Sequence, residues 1–202
     1  MTALKNNLLI ILLLVVNFGF VHAQAGDYFQ DIPVWTDLKE ALKTPKAIRR
    51  LDLSKTKLKK IPSEVFELYN LEELILGKNQ ITDLPADIKK LKKLRVLDLS
   101  KNKLEEIPKE IGMLKNLEKL DLGRNDIFSL PDEIGNCESL EILSIWDNNI
   151  GMLPESMKKI QNLKQIDMRN IMISDPAQAM MEDMLPGVKI FFTSNCNCGP
   201  NL

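Results

Sequence analysis

Histidine is nearly absent from this 202-residue chain, whose only histidine is His22. Imidazole is the commonest metal ligand in proteins and a frequent general base near neutral pH. The sequence also lacks a glycine-rich phosphate loop and a nucleophile elbow. The composition therefore weighs against a triad hydrolase, a zinc centre and a haem centre together. We predict that the protein is not an enzyme and uses no cofactor.

An excess of charge of one sign is also missing. The chain has 27 basic and 28 acidic residues, for a formal net charge of −1. Proteins that bind nucleic acid non-specifically carry a basic surplus that meets the phosphate backbone. We therefore predict no nucleic acid partner.

Cysteines number three, an odd count that cannot be fully paired within one chain. Cys137 falls in a column of leucines and isoleucines and is interpreted as a small core hydrophobe. Cys196 and Cys198 lie in a C-terminal tail, residues 193–202. A strained mutual bridge, an intermolecular disulfide and capture of a soft metal are the alternatives for these two thiols. Two thiols make an incomplete metal site, so we favour an incidental tail and predict no metal.

Long apolar runs are absent except near the N-terminus, where residues 8–16 follow the basic residue Lys5. A basic residue, a short apolar run and then small residues at the cleavage point are the parts of a secretory signal peptide. We predict that residues 1–23 form this signal peptide, with cleavage after residue 25 as the alternative.

The same apolar run is too short to anchor the protein in a membrane. Asn17 and Gly19 interrupt it before it reaches the ~20 apolar residues that a span requires. We therefore predict no membrane span in the mature form and an exported protein that is secreted, periplasmic or at the cell surface.

A pattern of 23 residues fills most of the remaining chain. Four copies share the sequence L-x-x-L-x-(L/I)-x-x-N-x-(I/L)-x-x-(L/I)-P-x-x-(I/M), beginning at Leu71, Leu94, Leu117 and Leu140. Ile48 begins an earlier, less regular copy, and Leu163 begins a later one that loses register. Units this short cannot bury their apolar residues alone, so the period indicates a stack of repeated supersecondary units.

Each copy predicts a strand followed by a short helical turn. Leu74 and Leu76 alternate with Glu73 and Ile75, and this period of two is that of a strand. Successive strands are too far apart in sequence for hairpins, so they should run parallel. Proline followed by hydrophobes three residues apart suits a helical turn. The predicted fold is an α/β solenoid, a curved horseshoe arc with a parallel β-sheet on its concave side and short helical turns on its convex side.

One position of the pattern is always asparagine in the four regular copies, at Asn79, Asn102, Asn125 and Asn148. A polar side chain fixed between apolar neighbours at the bend after a strand should point inward. It would then bond to backbone groups of adjacent turns. We interpret these four residues as a structural asparagine ladder.

The repeated leucines, asparagines and Leu/Ile-Pro-x-x-Ile segments resemble the leucine-rich repeat family, specifically its 23-residue class. That class is known from Ras-group-related scaffolds and from exported bacterial repeat proteins. The resemblance covers residues 48–192 and implies a protein-binding module, since members of the family are predominantly of that kind. The signal peptide makes the chain look more like the exported bacterial group.

Both ends of the repeats, residues 48–192, depart from the pattern. Residues 24–47 predict a short amphipathic helix through Trp35, Leu38, Ala41 and Leu42, which we interpret as an N-terminal helical cap. Asp37 and Glu40 are spaced as in a capping box. Downstream, Val188, Ile190 and Phe192 predict a terminal strand. Terminal repeats are expected to be atypical because one of their faces meets water.

The exposed face of the predicted sheet contains one sharp departure from the repeat. Trp146 stands where the other copies carry serine or glycine, or arginine in the last one. Aromatic residues are enriched at binding hot spots. Alternatively, Trp146 folds over its neighbours and screens an imperfect repeat. We favour a ligand-binding surface on the concave face, formed by Trp146, Ile142, Ser144, Asp121 and Val96.

An acidic column crosses the same face, where Asp98 and Asp121 should be adjacent. Such a pair can bind a cation, or a neighbouring basic series can neutralise it through solvated ion pairs. We favour neutralisation, by Lys78, Lys101 and Arg124.

The main functional prediction is an exported module that recognises a protein ligand through its concave face. A carbohydrate or envelope polymer stacked on Trp146 is the second hypothesis. An enzyme that uses carboxylates such as Asp98 and Asp121 is a third, which the absence of catalytic motifs disfavours.

Overall fold

The computed structural model describes Phe29 and residues 31–193. The predicted signal peptide, the alternative cleavage point after residue 25 and the tail residues Cys196 and Cys198 lie outside the described residues. The chain divides into two units, of which the first ends at Ile32. In that first unit the amide of Ile32 donates to the carbonyl of Phe29 at 3.1 Å. The second unit begins at Pro33 and contains all of the repeats.

Seven parallel strands form one sheet in the order in which they occur along the chain. They are β1 (Arg50–Asp52), β2 (Glu73–Ile75), β3 (Val96–Asp98), β4 (Lys119–Asp121), β5 (Ile142–Ser144), β6 (Gln165–Met168) and β7 (Lys189–Phe192). The register advances by one repeat per strand, so that Leu51 is opposite Leu74 and Leu74 is opposite Leu97. The predicted parallel sheet and its columns are therefore confirmed.

The inward side chains of the repeats form one continuous core. Leu74, Leu76 and their counterparts in the other copies are fully buried. Cys137 belongs to this core, where its Sγ lies 3.3 Å from the carbonyl oxygen of Ile111. Burial raises the pKa of the Cys137 thiol to about 12, against a smaller opposing effect of Lys115. A buried thiol of this kind is inert, as expected of a structural residue.

The helical turns of the first five copies are 3₁₀ helices. They span Ser63–Glu67, Ala86–Lys90, Lys109–Met113, Asp132–Asn136 and Glu155–Lys159, and each follows directly on a proline. Each turn closes with a backbone bond across three residues, such as Leu114 N to Ile111 O at 3.0 Å. Proline suits the start of such a turn because its fixed φ is compatible and its missing N–H would have had no partner there.

The asparagine side chains join neighbouring turns through backbone groups. Nδ2 of Asn125 donates to the carbonyls of Leu122 at 2.8 Å and Leu99 at 3.1 Å, and its Oδ1 accepts from the amide of Leu104 at 3.0 Å. Asn79, Asn102 and Asn148 make the corresponding bonds in their own repeats. Each side chain therefore satisfies three buried backbone groups that a bend leaves open.

A column of left-handed backbone accompanies the asparagines. Lys55, Lys78, Lys101, Arg124, Asp147 and Asn170 have φ values from 55° to 59°, which L-residues rarely adopt. Backbone bonds hold this bend, as in Lys101 N to Gly123 O at 2.8 Å and Arg124 N to Trp146 O at 2.7 Å. The basic residues Lys55, Lys78, Lys101 and Arg124 therefore occupy the position at which the chain turns away from each strand.

The N-terminal region contains the predicted helix in shortened form, as α1 (Leu38–Ala41). Trp35 lies outside it and forms a parallel bridge with Leu51, so its expected place in the helix is wrong. Asp37 caps the helix through the amides of Lys39 and Glu40, whereas the Glu40 carboxylate pairs with Lys43 at 2.8 Å and completes no capping box. The function of residues 24–47 as a cap stays a prediction.

The C-terminal end departs from the repeat more than the sequence indicated. A ten-residue helix, α2 (Asp175–Met184), replaces the last 3₁₀ turn. Ile166 is opposite Ile190, which makes the final step 24 residues long. The terminal strand through Ile190 and Phe192 is present as β7, with both side chains packed against the core. None of the helices in the described residues is long and apolar enough to cross a membrane.

The ladder predicts a large stability loss for Asn125→Ala. The change removes the partners of one buried amide and two carbonyls, and each unpaired group costs roughly 1–3 kcal/mol. We expect urea denaturation to show a loss of about 3 kcal/mol or more. Asn136→Ala, at an exposed asparagine, is the matched control and should stay within about 0.5 kcal/mol of wild type. Equal losses in both variants would contradict the structural role of the ladder.

Close packing between 3₁₀ turns makes a second prediction, for Gly135→Ala. A Cβ at Gly135 would lie 2.3 Å from the carbonyl oxygen of Ser156, so the turns would have to separate. Overpacking of this kind costs about 1–3 kcal/mol in denaturation experiments. Gly151→Ala is the control, because no atom lies within 4 Å of its added Cβ. A destabilised Gly151→Ala variant together with a stable Gly135→Ala variant would be the opposite of this expectation.

Candidate functional site

The outward face of the sheet carries the five residues predicted to bind a ligand. Four are partly exposed, namely Val96, Asp121, Ile142 and Trp146. Ser144 is buried, with 3% of its surface accessible. The register places Asp121 opposite Ser144 and leaves Lys119 between Val96 and Ile142. The structure thus brings Asp121 and Ser144 together, while Val96 stands two strands away from Ile142.

Trp146 packs across the neighbouring repeat. Its indole covers Gly123 so closely that a Cβ at this glycine would lie 2.0 Å from Nε1 and 2.4 Å from Cδ1 of the ring. The Lys101 ammonium is 5.9 Å from the ring centroid, within the range of a cation–π interaction. This is the packing described by the alternative interpretation of Trp146, although the indole stays partly exposed. A ligand-binding role for Trp146 stays a prediction.

Gly123 is a residue that the sequence reasoning missed. The absence of a side chain there creates the surface on which the indole lies. A signal was present, because this column reads Ser54, Gly77, Ser100, Gly123, Trp146 and Arg169, so its one aromatic member directly follows a glycine. The glycine and the tryptophan therefore form a complementary pair between adjacent repeats.

The aspartates of the acidic column accept hydrogen bonds from backbone amides two residues further along the chain. Oδ1 of Asp98 accepts from the amide of Ser100 at 2.8 Å, and Oδ1 of Asp121 accepts from the amide of Gly123 at 2.9 Å. Asp52 and Asp167 bond in the same way two residues onward. The Arg124 guanidinium lies 3.6 Å from the Asp147 carboxylate, and neutralisation of the acidic column by Lys78, Lys101 and Arg124 stays a prediction. The aspartates hold the ends of β1, β3, β4 and β6, and this backbone role accounts for their recurrence.

Asp121 has a strongly altered proton affinity. Burial raises the pKa of this carboxyl to about 6, and the charge of the adjacent Asp98 acts in the same direction. Hydrogen bonds from the Gly123 amide and the Ser144 hydroxyl partly oppose the rise. The centre of the sheet face therefore contains a carboxyl that changes charge close to physiological pH.

Lys119 lies at the centre of the same face and is only 7% exposed. Its Nζ has no hydrogen-bond partner among the described residues. Burial lowers the pKa of the Lys119 ammonium, while the charges of Glu118, Glu141 and Glu73 raise it. A buried amine thus separates the apolar side chains of Val96 and Ile142, and the two do not form one apolar patch.

The described residues contain no group of three histidine, cysteine, aspartate or glutamate side chains arranged to hold a metal ion. Asp98 and Asp121 are neighbours as predicted, but they stand as a pair. The predicted absence of a cofactor stays a prediction.

Family models match most of the repeat-containing part of the chain. A leucine-rich repeat region model matches residues 86–185, and a leucine rich repeat model matches residues 46–104. This chain is a leucine-rich repeat protein. The match agrees with the observed sheet of parallel strands joined through short 3₁₀ turns. Comparison with functionally curated proteins gave no significant match.

Solved structures of other leucine-rich repeat proteins are similar to this one. A leucine-rich repeat protein of Leptospira interrogans is 30% identical over 73% of this chain, with a TM-score of 0.60. Internalin C2 of Listeria monocytogenes is 26% identical over 78% of this chain, with a TM-score of 0.64. The plant peptide hormone receptor RGFR1, solved in complex with RGF2, is 32% identical over 73% of this chain, with a TM-score of 0.62.

The likeness covers only part of each of these proteins. This chain spans 43% of the Leptospira protein, 66% of internalin C2 and 24% of the plant receptor. The similarity therefore establishes the repeat architecture, and the partners of the whole proteins bear on this chain only as proposals.

The raised pKa of Asp121 predicts that ionisation of this carboxyl lowers the free energy of unfolding as the pH rises. This is the opposite of the effect of a carboxyl whose pKa is lowered by folding. The folded carboxyl binds its proton more tightly than the unfolded one, whose ordinary pKa is about 3.9. The stability linked to this proton is fully present below pH ~4 and is lost as the pH rises through about 6. We expect Asp121→Asn to be more stable than wild type by about 1–2 kcal/mol at pH 7 and nearly equal to it at pH 4. Urea denaturation at both pH values measures the difference.

The control for this experiment is Asp126→Asn, which neutralises an exposed carboxylate. It should shift stability by less than about 0.5 kcal/mol at either pH. A gain in the Asp121→Asn variant that is the same at pH 4 and pH 7 would contradict the assigned titration.

Proposed function

We propose that this protein is an exported recognition module that binds a protein ligand on the concave face of its sheet, without enzymatic activity. The residues proposed to contact the ligand are Trp146, Ile142, Ser144, Asp121 and Val96. Export is inferred from the signal-peptide pattern of residues 1–23, and the mature protein would act outside the cytoplasm, in the periplasm, at the cell surface or in the medium.

The observation that carries the proposal is the partly exposed indole of Trp146, which lies against Gly123 of the neighbouring repeat in space that a side chain there would fill. An aromatic ring that is already fixed loses little conformational freedom when a ligand covers it. Tryptophan is also the residue type most enriched among binding hot spots. The pair therefore supplies a preorganised apolar anchor on the sheet face.

The Asp121 and Ser144 pair supplies polar contacts beside this anchor. Its carboxylate already accepts from one amide and one hydroxyl, and carboxylate oxygens have capacity for further donors. A peptide backbone amide or a donor side chain of the ligand fits this capacity. The polar contacts would orient the ligand, while Trp146 and Ile142 would contribute most of the binding energy.

The comparisons support a protein or peptide as the ligand. The plant receptor similar to this chain was solved in complex with RGF2 and is described as a peptide hormone receptor. Because that receptor is 32% identical over the aligned region, a proteinaceous ligand is the first choice for this repeat surface as well. A glycan stacked on Trp146 is the competing ligand class, and a glycan array distinguishes the two because a protein-specific module leaves the array blank.

A double substitution, Trp146→Ala with Ile142→Ala, tests the sheet face. Proximity labelling in the native source identifies neighbouring proteins, and calorimetry with each purified candidate measures the affinity. Loss of a hot-spot aromatic costs ~2 kcal/mol or more, so we expect binding to weaken about 30-fold or more. Met113→Ala, at an exposed methionine of the 3₁₀ turn Lys109–Met113, is the control and should bind as wild type. Unchanged affinity in the double variant would move the site away from this face.

A further inference from the structure

Three exposed apolar side chains lie on the loops that leave the strands in the later repeats. Phe128 is 63% exposed, Met152 is 43% exposed and Met172 is fully exposed. They stand outside the hydrophobic core, which contains their neighbours Ile127, Ile150 and Ile171. Packing of the solenoid therefore gives no reason for apolar residues at these three positions.

The earlier repeats carry polar residues at the same three positions of the pattern. Those equivalent to Phe128 are Lys59, Thr82 and Glu105, those equivalent to Met152 are Lys60, Asp83, Glu106 and Ser129, and those equivalent to Met172 are Lys57, Gln80, Lys103, Asp126 and Asn149. The change from polar to apolar occurs at three independent positions, all on one edge and all in the C-terminal half. We name Phe128, Met152 and Met172 the exit-loop patch.

The loops of Phe128 and Met152 are hydrogen-bonded to each other, and residues of all three loops border a shallow cavity. The amide of Asn149 donates to the carbonyl of Ile127 at 2.9 Å, which fixes the loop of Phe128 beside the loop of Met152. A cavity of about 390 Å³ lies between the successive loops and is lined by Asp126, Ile150, Gly151 and Met172, among others. Gly151 occupies the position equivalent to Phe128, and no atom lies within 4 Å of where its Cβ would stand. Open space therefore adjoins Gly151, and of the three patch side chains it is Met172 that lines the cavity.

The cavity has acidic side chains and no basic one in its lining. Asp147 faces it but already has Arg124 at 3.6 Å. Asp126 is exposed and forms no ion pair within the described part of the chain. A cationic group placed in the cavity would therefore meet an uncompensated carboxylate next to apolar surface.

We propose that the exit-loop patch and its cavity dock an extended segment of a protein partner. The segment places a large apolar side chain against Phe128, Met152 and Met172, and a lysine or arginine beside Asp126. This inference goes beyond the proposed function, because the patch lies on the loops and shares no residue with the five on the sheet face. Charge complementarity identifies the kind of segment that binds. Apolar contact alone would allow many protein surfaces to bind, whereas the acidic lining favours a segment in which a hydrophobic residue lies near a basic one.

Panning of a phage-displayed random dodecapeptide library on the purified protein tests the proposal. We expect enriched peptides to contain a large hydrophobe close to lysine or arginine, and synthetic peptides to bind in fluorescence polarisation. Affinity should fall at least tenfold in the Phe128→Ser, Met172→Ser double variant and several-fold in Asp126→Asn. Met113→Ser, at an exposed methionine on the 3₁₀ turns, is the matched control and should bind as wild type.

Binding of these peptides to the Trp146→Ala, Ile142→Ala variant separates this surface from the sheet face. Retained affinity there, together with loss in the patch variant, supports the exit-loop site whether or not the sheet face has its own ligand. Failure to enrich any peptide, enrichment without basic residues, or full affinity in the patch variant would overturn the proposal. Self-association in sedimentation that disappears with Phe128→Ser would also overturn it, because a second copy of the chain would then be the occupant. Because Phe128, Met172, Met113 and Asp126 are exposed, the variants at these four positions should retain the wild-type denaturation midpoint, which urea titration checks.

Discussion

The hydrogen bonds of the asparagine ladder are the interaction on which the repeats depend. At the bend after each strand, backbone amides and carbonyls turn inward, where water does not reach them. One asparagine side chain satisfies two carbonyls and one amide from its own turn and the preceding one, as Asn125 does. The bend can then close at the same place in each of the four regular repeats, which fixes the distance between successive turns. Strand register, core packing and the close contact of the 3₁₀ turns all follow from that fixed distance.

A fixed register also separates the residues that every repeat needs from those that can vary. Inward positions are mostly leucine or isoleucine because each meets its own equivalent in the next turn, as Leu74 meets Leu97. Outward positions have no such requirement, so a change at one of them alters only the local surface. Trp146 on the sheet face and Phe128 on the exit loops are two such changes. Their concentration in the C-terminal half makes the two ends of the solenoid chemically different.

The repeat spacing made the fold predictable from sequence, because a period of 23 residues allows only one way to stack strands, asparagines and prolines. The columns of the sheet face followed from the same spacing. Positions that depend on side-chain shape were not predictable: the covering of Gly123 by Trp146 requires the direction of the indole, which spacing does not give. The pairing of Arg124 with Asp147 likewise depends on the direction of a long side chain, which the repeat spacing does not give. Helix α2 was missed because it lies where the repeat pattern ends and local propensity decides.

The buried thiol of Cys137 can report local opening of the solenoid. It lies under the 3₁₀ turns of two adjacent repeats, with Sγ against the Ile111 carbonyl and almost no reactive thiolate at neutral pH. An alkylating reagent can reach it only when those two turns separate. The rate at which Cys137 is alkylated therefore measures how often the middle repeats open locally, independently of fraying at either end of the solenoid. A ligand that bridges neighbouring repeats would slow that chemistry without touching the cysteine.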